Sequence, residues 1–221
     1  MPAGDRPRFV GVGASGAEGL RDIRALLVAL PAPLRAVLLV LLRPWDRPSH
    51  LRAILAQACP PPVLIADAGE RFEPGRIDIG EPARHPILAD RSFGEIVADP
   101  MRLHGNRTVD LLFHSVARHG RGRMIGVVLS GSLDGGARGL AAIHRAGGLT
   151  MVLTPEPPPR HGMPESAIAR DGPITTIGSP RTIAAAIAAD DPPGIAGEAA
   201  PQAEPARAPA APALAPLPHP G

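Results

Sequence analysis

Phe9-Val10-Gly11-Val12-Gly13-Ala14-Ser15-Gly16 passes from an apolar run through closely spaced glycines into a helix-forming stretch. That succession marks the first strand-to-helix turn of a parallel sheet. The same alternation continues downstream. Residues 15–30 read as a helix, 36–42 as a fully apolar strand, 48–57 as a helix and 63–66 as a strand. Arg76-Ile77-Asp78-Ile79 alternates polar and apolar residues, and with 85–88 after a turn it predicts a small antiparallel hairpin. Val109, Leu112, Phe113 and Val116 share one helix face over 108–118. A buried strand over 124–129, a Gly-rich loop, a helix to about residue 146, a last strand over 150–153 and a short helix over 163–171 complete the pattern. The expected fold is α/β: three layers, a doubly wound, mostly parallel sheet with helices on both faces, and a small antiparallel hairpin.

Composition agrees with that architecture. The chain has 221 residues, with four Phe, one Trp and no Tyr, so its core must be aliphatic. Twenty-nine prolines and 25 glycines, about a quarter of the chain, mark part of it as low-complexity. Residues 191–221 carry ten Ala and nine Pro, too little apolar bulk to offset the entropy of ordering them. The expected division is a lead at 1–8, an α/β domain at 9–187 and an Ala/Pro-rich disordered tail at 188–221.

Charge excludes less than the pI of 9.8 suggests. All 23 basic side chains are arginine, and with neither Lys nor Tyr almost nothing titrates between about pH 8 and pH 12. A net charge of +2 therefore lifts the pI far up without implying a nucleic-acid partner, and aromatic stacking residues are scarce. Cys59 is the only cysteine, which rules out an internal disulfide and disfavours a Cys-based zinc site. No cofactor or metal is expected. The start lacks a signal-peptide pattern, and Pro31, Pro33 and Arg35 interrupt the most apolar stretch, so a cytoplasmic protein without membrane insertion is expected.

The opening residues support three chemistries. Gly11, Gly13 and Gly16 match the G-x-G-x-x-G dinucleotide fingerprint, in which glycines let phosphate approach helix amides. Arg43 then stands near the position of the usual ribose-binding carboxylate. Alternatively, Ser15 is a nucleophile raised above the carboxyl edge of the sheet, with helix amides to stabilise an oxyanion. In the third reading Ser15 is only a helix N-cap.

Four further blocks bear on the choice. They are Arg47-Pro48-Ser49-His50-Leu51, Val109-Asp110-Leu111-Leu112-Phe113-His114-Ser115, Leu129-Ser130-Gly131-Ser132-Leu133-Asp134-Gly135-Gly136-Ala137 and Gly162-Met163-Pro164-Glu165-Ser166. With Val12-Gly13-Ala14-Ser15 they resemble, from about residue 9 to 187, the catalytic domain of the chemotaxis protein-glutamate methylesterase (CheB-type) family. The resemblance implies a serine hydrolase that cleaves glutamate methyl esters on chemoreceptor helices, releases methanol and in many members deamidates glutamines. It also implies partners among methylated chemoreceptor helices or other signalling proteins. Full members carry an N-terminal phosphorylatable receiver domain; here Met1 lies just before the first strand, so that domain is expected to be absent.

The resemblance assigns the nucleophile position to Ser15, with Gly16 and Ser132 as backbone groups at the oxyanion site. The family histidine position falls on Leu42, and the family aspartate position on Gly135, with Asp134 one residue away as a stand-in. Leucine cannot accept a proton, and glycine cannot orient an imidazole. Residues 15–20 are also shorter by two than the family pattern. His161, His50 and His85 are the remaining candidates for a base. The expectation is an impaired or inactive esterase, with a non-catalytic receptor- or partner-binding module as the alternative and a dinucleotide binder behind it.

Overall fold

The computed structural model describes residues 8–32, 36–43, 50–81, 84–99, 101, 104, 107–121, 124–132, 134–157, 161–170 and 172–190. The lead before Arg8, the start of the helix expected from residue 48, and residues 191–221 lie outside them. A seven-stranded parallel sheet is built from β1 (Phe9–Ser15), β2 (Val37–Arg43), β3 (Val63–Ile65), β4 (Ile77–Ile79), β7 (Met124–Val128), β8 (Leu149–Leu153) and β9 (Thr176–Gly178). Its order is β3-β4-β2-β1-β7-β8-β9. A separate antiparallel pair joins β5 (Arg84–Leu88) to β6 (Gly94–Ala98). The helices are α1 (Gly16–Ala29), α2 (Leu51–Ala56), α3 (Thr108–His119), α4 (Ala137–Arg145), α5 (Met163–Ala169) and α6 (Pro180–Asp190).

The chain winds outward from β1 in both directions, to β2 on one side and β7 on the other. Such a sheet leaves a crevice at the carboxyl ends of the strands where the winding reverses, which here means the ends of β1 and β7. Two cores flank the sheet. Val10, Val12 and Ala14 pack with Ile23 and Leu26 of α1 and Ile183 and Ile187 of α6. On the other face Phe9 packs with Val109, Leu112 and Phe113 of α3 and Leu140 and Ile143 of α4. The alternation along β1 explains its glycines. A Cβ at Gly11 would lie 3.1 Å from the Phe113 ring, and one at Gly13 only 2.2 Å from a Val109 methyl. Both glycines let α3 sit close against the strand.

The hairpin expectation needs correcting in its parts. Ile77–Ile79 is not half of a hairpin; it lies within the main sheet, parallel to β2 and β3. The antiparallel partner of the 84–88 strand is β6 instead. The alternating pattern misleads because Asp78, the polar residue in it, is wholly buried. Arg76 Nε lies 3.1 Å from its Oδ1. The short strand β9 and helix α6 were not anticipated, and α6 carries helical structure through residues 188–190. Arg8, before β1, clasps Asp190 at the end of α6 at 2.8 Å.

Burial pushes the Asp78 carboxyl up to about 6, and the Arg76 charge only partly counteracts it. The folded chain therefore holds this proton more tightly than the unfolded chain. Stability is greatest below the unfolded value and is lost as pH rises through about 4 to 6, by at most ~3 kcal/mol for a shift of this size. Asp78→Asn is expected to flatten that part of the curve in urea titrations across pH 4–7. A slope unchanged from the parent would contradict it. At the opposite face, Asp110→Ala removes the carboxylate that accepts the Gly139 amide at 2.7 Å in the first turn of α4. A loss of about 1–2 kcal/mol is expected by the same measurement.

Candidate active site

Ser15 is both the last residue of β1 and the residue that precedes α1. Its backbone is extended, at φ −147° and ψ 153°, and its side chain makes no cap hydrogen bond. The simple N-cap reading therefore fails. Ser15 is buried, 5 % exposed, and its Oγ accepts a hydrogen bond from the Ser132 amide at 3.0 Å. The Ser15 amide donates to the Ser130 carbonyl at 3.0 Å, which extends the β1–β7 pairing beyond the strand ends. Strand, loop and hydroxyl thus form one hydrogen-bonded unit at the crevice.

The Gly162-Met163-Pro164 block fastens the loop from the other side. Met163 N donates to Gly131 O at 2.8 Å, and Ser132 pairs with Gly162 in an isolated antiparallel bridge. Met163 is buried, and a Cβ at Gly131 would fall 2.5 Å from its sulfur and 2.4 Å from Ser15 Oγ. Only glycine fits between them. The Val109-Asp110 block acts one layer below. Val109 wedges between Gly13 and Gly136, where added Cβ atoms would lie 2.2 and 2.8 Å away, while Asp110 caps α4. Gly136 itself has φ +89°, the left-handed turn that swings the chain into α4.

The other expected site residues are dispersed. The β1–β2 register sets Leu42 beside Ala14 and Arg43 beside Ser15. Gly135 is buried before α4, whereas Asp134 is exposed and contributes only a carbonyl, 3.5 Å from the Ala137 amide. Gly16 has φ +73° at the start of α1. His50 is exposed at the start of α2 and makes no cap bond. His85 is buried in the hairpin, with Nε2 3.6 Å from Asp99 Oδ2, and burial draws its imidazole below the usual histidine range. His161 is exposed on the rim of a cleft of about 410 Å³ shared with Ser130, Gly131 and Ser132. Among the described residues no imidazole is hydrogen-bonded to Ser15.

The same cleft carries Glu18, Glu156 and Glu165 and no arginine among its described lining residues. Arg21 lies near its edge, 3.9 Å from Glu156 and 3.8 Å from Asp22. Sequence reasoning located Ser15 and the three loops around it but missed this acidic lining, because Glu18, Glu156 and Glu165 come from separate loops and helix starts. The dinucleotide reading also weakens. Gly11 and Gly13 answer to the side chains of α3, and no phosphate is needed to explain them.

Gly131→Ala tests the seat of the hydroxyl. It is expected to destabilise the chain by about 1–3 kcal/mol through overpacking against Ser15 and Met163, read by denaturant titration. Stability equal to the parent would show that the loop is not held as described.

The CheB methylesterase family model matches residues 10–187. A protein-glutamate methylesterase/protein-glutamine glutaminase 1 of Anaeromyxobacter dehalogenans is 34% identical over 192 residues, covering 85% of this chain and 54% of that protein. The protein of the same designation in Bordetella avium is 34% identical over 165 residues, 74% of this chain and 48% of its own length. The chain thus spans about half the length of the curated relatives it matches. The crystal structure of the Thermotoga maritima CheB methylesterase catalytic domain superposes with a TM-score of 0.72 at 24% identity, covering 82% of this chain and 97% of that one. With its doubly wound sheet and with the serine, glycine and methionine loops meeting at the winding reversal, this chain belongs to the CheB methylesterase family.

Proposed function

We propose that this chain is a methylesterase-family domain that keeps the receptor-facing site and has lost most of its hydrolysis. One observation carries the reading. The Ser15 hydroxyl is engaged by the Ser132 backbone amide, and no described imidazole stands beside it to take its proton. The family positions for histidine and aspartate are Leu42 and Gly135. Serine attack on an ester needs a base for the hydroxyl proton and a group to orient that base. Without them, what remains is binding and backbone stabilisation of the oxyanion, on the order of 10³–10⁴ over the uncatalysed rate.

The substrate class follows from the relatives, which are named for action on protein glutamate esters and glutamine side chains. The retained cleft supports binding of such a side chain without turnover. Saturable binding of a methyl-esterified chemoreceptor helix, measured by calorimetry with no methanol released, is the corresponding expectation.

Hydrolysis of that peptide is expected at background, and Ser15→Ala is expected to leave it unchanged. Robust turnover that disappears in Ser15→Ala would overturn the proposal and reveal an unrecognised base. Installing both missing groups, Leu42→His with Gly135→Asp, is expected to raise methanol release above that of the same variant carrying Ser15→Ala. Equal rates would place part of the loss in the shortened start of α1.

A further inference from the structure

Helices α3 and α4 lie side by side on one face of the sheet. Asp110 of α3 bonds the Gly139 amide of α4, and a Cβ at Gly139 would fall 2.5 Å from Phe113 Cβ. Both helices run from the carboxyl edge, where Val109 meets Gly13 and Gly136, to the amino edge, where Gly120 and Gly148 approach Met124. Their inward faces are apolar: Val109, Leu112, Phe113 and Val116 on α3, and Leu140 and Ile143 on α4. Their outward faces carry arginines. Arg107, at the N-cap of α3, and Arg118 stand about three turns apart with exposed His114 between them, Arg121 follows beyond the end of the helix, and Arg138 and Arg145 stand about two turns apart on α4. All six are exposed.

This stripe is not neutralised. Asp110 is the one acidic residue within either helix, and it is buried and committed to the α4 amide. Among the described residues none of the five arginines makes an ion pair; Arg145 donates only to the Ala141 carbonyl of its own helix. Nearby, Asp90 is held by His119 at 2.9 Å, and exposed Asp134 precedes α4. A chain with 23 basic and 21 acidic residues has thus gathered unpaired positive charge on one helical face, while the cleft beside the Ser130–Ser132 loop carries Glu18, Glu156 and Glu165.

We propose that the outer face of α3 and α4 is a docking surface for an acidic helical segment of a partner protein. Arginine presents a planar fork that pairs two-pronged with a carboxylate. The stripe from Arg107 to Arg118 covers about 16 Å at 1.5 Å per residue, the length of a helix of three turns bearing glutamates on one side. The exposed large hydrophobic residues of the described chain, Val28, Phe93, Met101, Ile168 and Ile177, all lie elsewhere, and on this face only half-buried Leu111 interrupts the polar row, too little for insertion into a lipid surface. It also lacks the ring side chains on which single-stranded bases stack. The choice of a protein partner rests on the function proposed above, and the charge pattern stands independently of it. Because α3 and α4 begin at the edge that holds Ser15, a helix on this face has one end at the crevice.

The test uses the full chain and a fluorescein-labelled helical peptide of about 20 residues, made of Glu and Ala with glutamates at i, i+3, i+4 and i+7. The peptide has neither ester nor side-chain amide, so the outcome does not depend on Ser15 chemistry and a failure here is separable from a failure of the proposed function. Fluorescence anisotropy at low salt should show saturable binding that weakens steeply as salt is added. Arg118→Glu with Arg145→Glu is expected to weaken it by about tenfold or more. The charge-matched control Arg24→Glu with Arg181→Glu, on exposed positions of α1 and α6, is expected to change it by less than about twofold. Circular dichroism of both variants confirms that each remains folded. Equal losses in the two pairs, or no binding by the parent chain, would overturn the proposal. Tighter binding of a DNA duplex than of the peptide, abolished by the same α3–α4 pair, would overturn it in favour of a nucleic-acid surface.

Discussion

Val109 sits against two glycines that belong to different parts of the chain, Gly13 at the end of β1 and Gly136 at the start of α4. This contact sets the distance between the sheet and the α3–α4 layer. With no side chain at either glycine, α3 settles low enough for Asp110 to reach the Gly139 amide. That bond fixes where α4 begins and thereby how the loop after β7 crosses the crevice. The loop then passes close enough to β1 for Ser132 to meet the Ser15 hydroxyl. A bulky residue at Gly13 would displace all of these together, because interiors packed to crystal-like density transmit a misfit to their neighbours.

The scaffold of the site and its chemistry depend on different residues, which is why one can persist without the other. Gly131, Gly162 and Met163 hold the loop through backbone bonds and close packing, and none of them takes part in moving a proton. On the reading proposed above, the groups missing from the ester chemistry belong at Leu42 and Gly135, where only a side chain with a specific function would serve. The Ser15 hydroxyl finds its partner in the main chain. The acidic cleft and the cationic helical face then divide the surface around it into regions of opposite sign, suited to orienting a protein partner.

Much of this was legible in the residues. The apolar runs of β1, β2, β7 and β8 are long enough to carry the parallel-strand pattern, and the 109–116 spacing marks the buried face of α3. Ser15 was recognisable from its place between a strand and a helix, although only the coordinates separate a capping serine from one turned to Ser132. The small hairpin is present with its 84–88 strand, but 77–79 was wrongly given to it because Asp78 obeys an alternating pattern while being buried, so polarity and exposure part company there. The three-residue strand β9 offered no periodicity to read, and α6, rich in alanine, merged with the low-complexity composition that follows it. The cleft carboxylates, and the juxtaposition of the α3 arginines with those of α4, depend on tertiary proximity among elements distant in sequence, which no local pattern encodes.

The central claim, that Ser15 is well seated but has no base to activate it, is tested most directly by its reactivity. Incubation with a fluorophosphonate that labels activated serines, followed by peptide mass spectrometry, reads the state of that one hydroxyl. The expected result is no adduct at Ser15 under conditions that fully label a serine esterase with an intact triad. Stoichiometric labelling of Ser15 would contradict the claim.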